Sequence, residues 1–256
     1  MEKITIFGTE VANVTFDEAF AQVTGFLEED RLHTIITPNT EIVMDAKDKP
    51  DMRRIINSAD LVVPDGIGLI YGSKMKRHPL KERVTGFDLS MKLIELAKDK
   101  GYSLFLLGTK PEIVKQAYDN LKQDADLNIV GYHDGYFKGA HLGMADHEEE
   151  MTVVAQINSL KPDIIFLGMG YPKQELWIDH NKDRLDAKLI IGNGGVIDIL
   201  AGVANRAPEL FIKLNLEWLY RLIQEPSRIK RQAALPKFIV SVITHKNSVV
   251  GGTDEH

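Results

Sequence analysis

The sequence predicts an α/β fold, with a Rossmann-like, largely parallel sheet flanked by helices and a C-terminal helical appendage. Three observations predict it. Short apolar runs alternate with amphipathic stretches over the first two thirds of the chain, glycine-bearing turns follow several of these runs, and the pattern becomes purely helical after about residue 205. The 256 residues are 44% hydrophobic and 27% charged, a composition typical of a globular protein with a sizeable core.

Each predicted strand is a short apolar run rich in β-branched residues. The predicted strands are Ile4–Phe7, His33–Thr37, Asp60–Val63, Ser103–Leu107, Asn128–Tyr132, Asp163–Leu167 and Lys188–Ile191. Apolar residues at helical spacing predict helices between these strands. The predicted helices are Thr15–Glu29, Asp88–Lys100, Pro111–Lys122 and Glu148–Leu160, followed by a short helix that ends at Leu200.

The change of pattern divides the chain into three predicted segments. We expect an α/β catalytic domain over residues 1–205, a basic helical appendage over residues 206–246 and a flexible tail over residues 247–256. Pro226 and Pro236 should divide the appendage into two or three short helices. We also predict that deleting residues 206–256 abolishes turnover and leaves a folded core, because the mobile appendage is needed to complete the site.

Charge is distributed unevenly between these segments. The appendage carries eight basic and three acidic residues, a net +5 in a chain of net −6, so the remainder carries −11. A basic segment on an acidic body predicts an anionic partner, either a membrane surface or phosphate groups. The aromatic residues Phe211, Trp218, Tyr220 and Phe238 could lie at a membrane interface or pack in a core.

Cysteine usage and hydropathy exclude several classes of protein. The chain has no cysteine, which excludes disulfides and thiolate zinc sites. No stretch approaches the roughly 18 apolar residues of a membrane span, and the N-terminus lacks the apolar run of a signal peptide. We therefore expect a cytoplasmic protein.

The stretch Leu61–Gly68 supplies the first candidate catalytic group. An apolar run stops at Pro64, and Asp65 with two closely spaced glycines follows it. The carboxyl ends of parallel strands collect catalytic side chains, because the turns there can vary without disturbing the core. Asp65 is thus either a catalytic carboxylate or the ordinary cap of an Asx turn.

Four glycine-bearing turns follow predicted strands and favour a nucleotide or phosphate ligand. Glycine lets backbone amides approach a ligand closely, and a helix beginning just afterwards attracts phosphates. The turns are Asp65–Gly68, Gly108–Lys110, Gly168–Glu175 and Gly192–Gly195. None is a Walker loop, and none has the dinucleotide fingerprint Gly-x-Gly-x-x-Gly, which argues against an NAD-dependent oxidoreductase without excluding it.

No pattern requires a metal, and we predict none. Asp124 and Asp126 have the Asp-x-Asp spacing of some metal-dependent sugar transferases, but they fit a solvated helix end better. A polar loop with several metal-ligating residue types is more often simply exposed; its members are His133, Asp134, His141, Asp146 and His147. If a diphosphate leaves during the reaction, arginine or lysine must neutralise it.

Motifs spread over the whole chain then resemble one family. They are Thr37–Val43, Val63–Gly66, Arg83–Leu89, Leu107–Gly108, Gly135–Phe137, Gly168–Ile178, Gly194-Gly195-x-x-Asp198 and Arg206–Pro208. In this order and spacing they resemble the WecG/TagA/CpsF family of glycosyltransferases over about residues 3–246, and within it the TagA/TarA-type N-acetylmannosaminyltransferases.

The resemblance implies an inverting, metal-independent glycosyltransferase without a cofactor. It would move N-acetylmannosamine from its UDP donor to a GlcNAc-diphospho-undecaprenol acceptor in β-1,4 linkage, an early step of wall teichoic acid synthesis. Another UDP-sugar, such as the uronic acid of N-acetylmannosamine or a hexose, and another surface polysaccharide remain open. The resemblance also implies a peripheral protein at the inner face of the cell membrane, a possible homo-oligomer and no nucleic-acid partner.

The resemblance also assigns roles to residues. Asp65 would be the general base, Thr37 and Asn39 would hold the sugar, and Arg83 and Gln174 would line the same pocket. The remaining substrate-binding positions would contact the nucleotide or the diphosphate. Those for the nucleotide are Gly108, Tyr136, Gly194, Gly195 and Asp198, and those for the diphosphate are Arg221, Arg228 and Arg231. A non-catalytic module that binds lipid head groups would explain the basic appendage but not Asp65 and Gln174 at strand ends.

Overall fold

A computed structural model describes residues 1–224 and 233–251 of the chain. Within these ranges the strands are β1 (Lys3–Ile6), β2 (Thr9–Ala12), β3 (His33–Ile36), β4 (Leu61–Val62), β5 (Leu104–Gly108), β6 (Ile129–His133), β7 (Ile164–Gly168), β8 (Leu189–Gly192) and β9 (Val249–Gly251). Six of them form a sheet in the order β4-β3-β8-β7-β5-β6, in which every pair of neighbours is parallel. The predicted parallel α/β fold is confirmed.

Helices connect the strands of this sheet. In the described ranges they are α1 (Phe16–Phe26), α2 (Thr40–Asp48), α3 (Pro50–Asn57), α4 (Ile67–Met75), α5 (Gly86–Lys100), α6 (Pro111–Leu121), α7 (Glu148–Leu160), α8 (Lys173–Asn181), α9 (Val196–Leu200), α10 (Glu209–Lys213), α11 (Glu217–Gln224) and α12 (Ala234–Thr244). Local sequence signals determine where several helices begin. Thr15 and Glu18 form a capping box at the start of α1, and Pro111 occupies the first turn of α6. The predicted helices are confirmed, with ends shifted by a few residues.

The parallel sheet is buried on both faces, which explains why its strands are apolar runs without polar alternation. Ile35 faces a cluster that includes residues of α1, α5, α6 and α9. Its neighbour Ile36 faces the opposite way, into a cluster with residues of α2, α3, α4 and α12. In a third cluster, buried residues of α7 and α8 pack with Phe105 of β5 and Ile165 of β7. The molecule is therefore a three-layer α/β structure.

The predicted first strand belongs to a second, antiparallel sheet of order β2-β1-β9. The pairing of β1 with β2 has a local cause. Phe7 and Gly8 both have positive φ, at 49° and 84°, and form the two-residue turn of a hairpin between these strands. The expectation of a flexible tail from residue 247 is wrong for Val249–Gly251, which pair with Ile4–Ile6. Residues 252–256 lie outside the described ranges.

Helix α12, in the predicted appendage, packs tightly on helix α4 of the α/β body. Gly68 and Gly72 lie one turn apart on α4, and a Cβ atom at these glycines would lie 2.6 Å from Leu235 and 2.7 Å from Phe238. The absence of side chains there lets the two helices approach closely. Phe238 is fully buried, so of the two readings of this aromatic residue the structure supports core packing.

No helix in residues 1–224 or 233–251 is long and apolar enough to cross a bilayer.

Candidate active site

A cleft runs along the carboxyl edge of the parallel sheet, where an open α/β fold binds ligands. Because neighbouring strands are parallel, the segments that follow β3, β4, β7 and β8 all emerge at this edge. Eight of the predicted site residues line one cavity of the cleft, namely Thr37, Asn39, Asp65, Arg83, Gln174, Gly194, Gly195 and Asp198. Residues more than 150 positions apart in the chain are thus brought together in one cavity.

A second cavity adjoins the first and shares part of its wall. Asn39, Asp65 and Arg83 line both cavities. The second is completed by residues from the start of α4 and from the appendage, including Trp218 and Leu235. Asp65 therefore stands where two separate ligands could meet.

Asp65 follows the short strand β4 and is oriented by backbone on both sides. Its own N–H donates to the Val63 carbonyl at 3.0 Å, and the Val84 N–H donates to the Pro64 carbonyl at 3.1 Å. The carboxylate accepts from the Gly86 N–H, at the start of α5, at 3.4 Å. The side chain thus points to the segment that precedes α5, and the Asx-turn alternative does not account for these contacts.

Arg83 is the cation beside this carboxylate. Its Nε donates to the Asp65 carbonyl at 2.5 Å, and its Nη2 lies 3.4 Å from Asp65 Oδ1 and 2.9 Å from Glu217 Oε2. Burial by itself opposes the charged form, but the two carboxylates outweigh it and raise the pKa of Arg83 above its ordinary value. Arg83 is therefore a fixed positive charge in the wall of the cleft.

Thr37 and Asn39 follow strand β3 and are held by defined contacts. The Thr37 hydroxyl donates to the Gly192 carbonyl at 3.0 Å, which ties β3 to the neighbouring turn after β8. Asn39 is the N-cap of α2, and its Oδ1 accepts from the Ile42 N–H at 3.1 Å. Both side chains are thus rigidly placed at the cavity wall.

Gln174 in the cavity wall forms a buried pair with Glu175, which lies behind it. Gln174 accepts from the Gly170 N–H at 3.2 Å and donates to Glu175 Oε1 at 3.0 Å, so both ends of its amide are held. Glu175 is fully buried, and its Oε2 has no hydrogen-bond partner among the described residues. Burial raises the pKa of Glu175 from 4.5 to about 7. The chain therefore carries a carboxyl group that titrates near neutrality behind the site.

This buried carboxyl should make stability depend on pH. The unfolded chain releases the Glu175 proton near pH 4.5 and the folded chain near pH 7, so the unfolded state binds fewer protons between these values. The contribution of Glu175 to stability is thus greatest below about pH 4.5 and falls as the pH rises to about 7. Relative to wild type, Glu175→Gln should gain about 2–3 kcal/mol of unfolding free energy between about pH 5 and about pH 8.

Denaturant unfolding at several pH values checks this prediction. The exposed Glu95→Gln on helix α5 is the matched control, and its difference from wild type should stay constant over the same pH range. A constant difference for Glu175→Gln as well would contradict the assignment of a raised pKa to Glu175.

The predicted nucleotide-contacting residues lie along the same edge but separate into two groups. Gly194, Gly195 and Asp198 line the larger cavity. Gly108 does not line it, yet Thr109 beside it donates to Asp198 Oδ1 at 2.7 Å. Gly108 has φ +126°, and a Cβ atom there would lie 2.5 Å from the Gly168 backbone, so glycine is required for the packing of these two turns.

Tyr136 lines neither of the two cavities. Tyr136 lies on the loop after β6 and is 69% exposed. Arg221 lies in helix α11, and Arg228 and Arg231 fall outside the described residues. The roles proposed for these residues stay predictions.

Sequence reasoning missed several residues that line the larger cavity. Glu41, Phe87, Tyr171 and Glu217 all contribute to its wall. Glu41, Phe87 and Tyr171 belong to the family motifs, but the resemblance assigns roles only to their neighbours. Glu217 belongs to none of these motifs. The spacing of residues within its own helix cannot show that it pairs with Arg83, which lies 134 positions away in the chain.

The polar loop after β6 has structural partners for its metal-ligating residue types. Within residues 1–224 and 233–251, one group, Asp146, Glu150 and His180, brings possible ligand atoms within 4.8 Å of one another. Arg184 donates to Asp146 at 2.7 Å, and Glu150 accepts backbone N–H groups from Ala140 and Asp146. Arg184 thus balances the charge of Asp146 and backbone N–H groups occupy the oxygens of Glu150, and none of the three residues lines the cleft.

Comparison with known proteins identifies the family to which the chain belongs. The model of the family described as "Glycosyl transferase WecG/TagA/CpsF family" matches residues 4–249. The chain belongs to this family of glycosyltransferases. It is 32% identical over 226 residues to an N-acetylglucosaminyldiphosphoundecaprenol N-acetyl-beta-D-mannosaminyltransferase of Bacillus spizizenii, covering 88% of this chain and 84% of that protein. It is 33% identical over 249 residues to a protein of the same name from Staphylococcus aureus, covering 96% and 94% of the two chains.

As a member of this family the chain is an enzyme that transfers a glycosyl group. The resemblance inferred from the spaced motifs is confirmed, and the family favours a transferase over an oxidoreductase or a non-catalytic lipid-binding module.

Proposed function

We propose that the enzyme transfers N-acetylmannosamine from UDP-N-acetylmannosamine to the GlcNAc unit of a polyprenol-diphosphate-linked acceptor. The names of the relatives from Bacillus spizizenii and Staphylococcus aureus support this donor and acceptor. The similarity to these two relatives extends over 88% and 96% of this chain.

The observation that carries the proposal is the position of Asp65 in the wall shared by two adjoining cavities. A transferase must hold its donor and acceptor side by side, with a base at the point where they meet. We assign the donor to the larger cavity, which carries the glycine turn after β8. We assign the acceptor to the smaller one, which opens towards the apolar residues Trp218 and Leu235.

In the proposed reaction Asp65 takes the proton of the acceptor hydroxyl. The hydroxyl oxygen forms a bond to the anomeric carbon as the bond from that carbon to the diphosphate oxygen breaks, and the electron pair leaves with UDP. The attack comes from the face opposite the leaving group and inverts the anomeric configuration. Thr37, Asn39 and Gln174 would hold the sugar, Gly194, Gly195 and Asp198 would bind the nucleotide, and positive charge from arginines would stabilise the departing diphosphate.

We also propose that the enzyme works at the inner face of the cell membrane, where its lipid-linked acceptor would reside. The net +5 of residues 206–246 would attract anionic lipid head groups. Leu210 on α10, Leu214 directly after it and Ile223 on α11 are exposed apolar side chains that could contact the lipid surface. Arg221, Arg228 and Arg231 would reach the diphosphate, and association into a homo-oligomer stays a prediction.

Release of UDP in the presence of EDTA tests the proposal. The wild-type enzyme is incubated with UDP-N-acetylmannosamine, UDP-N-acetylglucosamine or UDP-glucose, each with and without a short-chain GlcNAc-diphosphate lipid. We expect fast release only from UDP-N-acetylmannosamine and only with the acceptor. Faster release from another donor would overturn the donor assignment, and dependence on added divalent metal would overturn the metal-independent mechanism.

A further inference from the structure

Glu217 links the predicted appendage to the candidate base. It lies in the first turn of helix α11, and its side chain is only 11% exposed although it belongs to a basic segment of the chain. Its Oε2 lies 2.9 Å from Arg83 Nη2, and the same nitrogen lies 3.4 Å from Asp65 Oδ1. One guanidinium is therefore shared by a carboxylate of the α/β body and a carboxylate of the appendage.

The sharing takes place in a confined environment. The side chains of Arg83 and Asp65 are 19% and 29% exposed, so water screens these charges less than it would on an open surface. The other carboxylate that lines both cavities is Glu41 of α2, and it faces the same region. In the described part of the chain, Glu217 thus faces Arg83, Asp65 and Glu41.

We propose that Glu217 is a positioning residue for the transfer reaction, because it divides the charge of Arg83 and so keeps Asp65 able to accept a proton. The inference rests on the proposed function, in which Asp65 is the base. It implies that the catalytic carboxylate has its proper charge environment only when helix α11 is seated on the α/β body.

The electrostatic argument gives the sign of the expected effect. A neighbouring cation favours the ionised form of a carboxyl group, and a neighbouring anion favours the protonated form. Removing the charge of Glu217 takes away an anion that shares the Arg83 guanidinium with Asp65. The proton affinity of Asp65 should therefore fall, and a weaker base accepts the hydroxyl proton less readily.

A titration that needs no turnover tests this inference independently of the proposed reaction. The side-chain carboxyl carbon of Asp65 is followed by ¹³C NMR against pH in the full chain, with Asp65→Asn identifying the signal. We expect a lower apparent pKa for Asp65 in Glu217→Gln than in wild type. The control is Glu209→Gln on the neighbouring helix α10, where the exposed Glu209 pairs with Lys213 at 3.2 Å, and it should leave the titration unchanged.

The pH dependence of acceptor-dependent UDP release supplies the second readout. In Glu217→Gln the acidic limb of kcat/KM should move to lower pH and the plateau should fall several-fold, whereas a merely structural loss would lower the rate at every pH without moving the limb. Glu217→Asp keeps the charge and should restore both features in part, and it replaces Glu217→Gln if the latter fails to fold. An unchanged or raised pKa of Asp65 in Glu217→Gln, or an equal shift in Glu209→Gln, would overturn the inference.

Discussion

Replacing Asp65 by Asn is expected to lower the kcat of acceptor-dependent UDP release by about 10²–10⁴-fold, the usual contribution of a general base. Asparagine has nearly the same shape, and its single carbonyl oxygen can still accept one of the two hydrogen bonds that Arg83 and Gly86 donate to different oxygens of Asp65. It cannot take the proton of the acceptor hydroxyl at neutral pH. Because the nucleotide is assigned to residues after β8, the affinity for UDP should stay within a few-fold of wild type.

Steady-state kinetics and calorimetric titration with UDP check both parts of this prediction. Asp186→Asn is the control, since Asp186 lies on the surface in an exposed ion pair with Lys161 and should behave like wild type. Substantial turnover by Asp65→Asn would mean that another group, or the substrate itself, removes the proton. Loss of UDP binding together with turnover would instead assign Asp65 to donor binding.

Replacing Phe238 by Ala is expected to lower the free energy of unfolding by about 3–5 kcal/mol, the usual cost of removing a buried aromatic side chain. Phe238 is fully buried against Gly72 of α4, where the close approach of the two helices leaves little room for collapse. The control is Val240→Ala on the same helix, because Val240 is 59% exposed and its truncation should cost little. Chemical denaturation of both variants measures the difference.

The packing of Phe238 against α4 also affects the stability expected of a C-terminally truncated chain. Deleting residues 206–256 removes Phe238 and the strand β9, and so uncovers Leu69 and the edge of β1. We therefore expect the truncated chain to be less stable than the full chain, so its loss of activity alone would not show that the appendage is catalytic. Full stability of Phe238→Ala, equal to that of Val240→Ala, would contradict this account and restore the simpler three-segment division.

The scaffold could be predicted from the sequence because its signals are local. A strand such as β7 is an uninterrupted apolar run, since both faces of a parallel sheet are buried, and a helix such as α7 shows its period over thirteen residues. The parallel arrangement then places every strand-end motif at one edge. The resemblance to the family assigned Thr37, Asp65, Gln174 and Asp198 to one site, and the parallel arrangement explains why they line the same cavity.

The remaining features depend on contacts between distant segments, which leave little trace in a single sequence. Strand β9 is three residues long and forms because β1 offers an edge to it. Glu217 looks like an ordinary acidic residue at the start of a helix, where the helix dipole alone would explain it. Its importance emerges only when the fold brings Arg83 within 2.9 Å.

The most direct test of the central claim is the structure of the product. Wild-type enzyme, UDP-N-acetylmannosamine and the short-chain GlcNAc-diphosphate lipid are incubated in EDTA, and the lipid is analysed by mass spectrometry and NMR. The account predicts one added N-acetylhexosamine in β linkage and one UDP released for each. An α linkage, or free N-acetylmannosamine with an unchanged lipid, would contradict inverting transfer with Asp65 as the base.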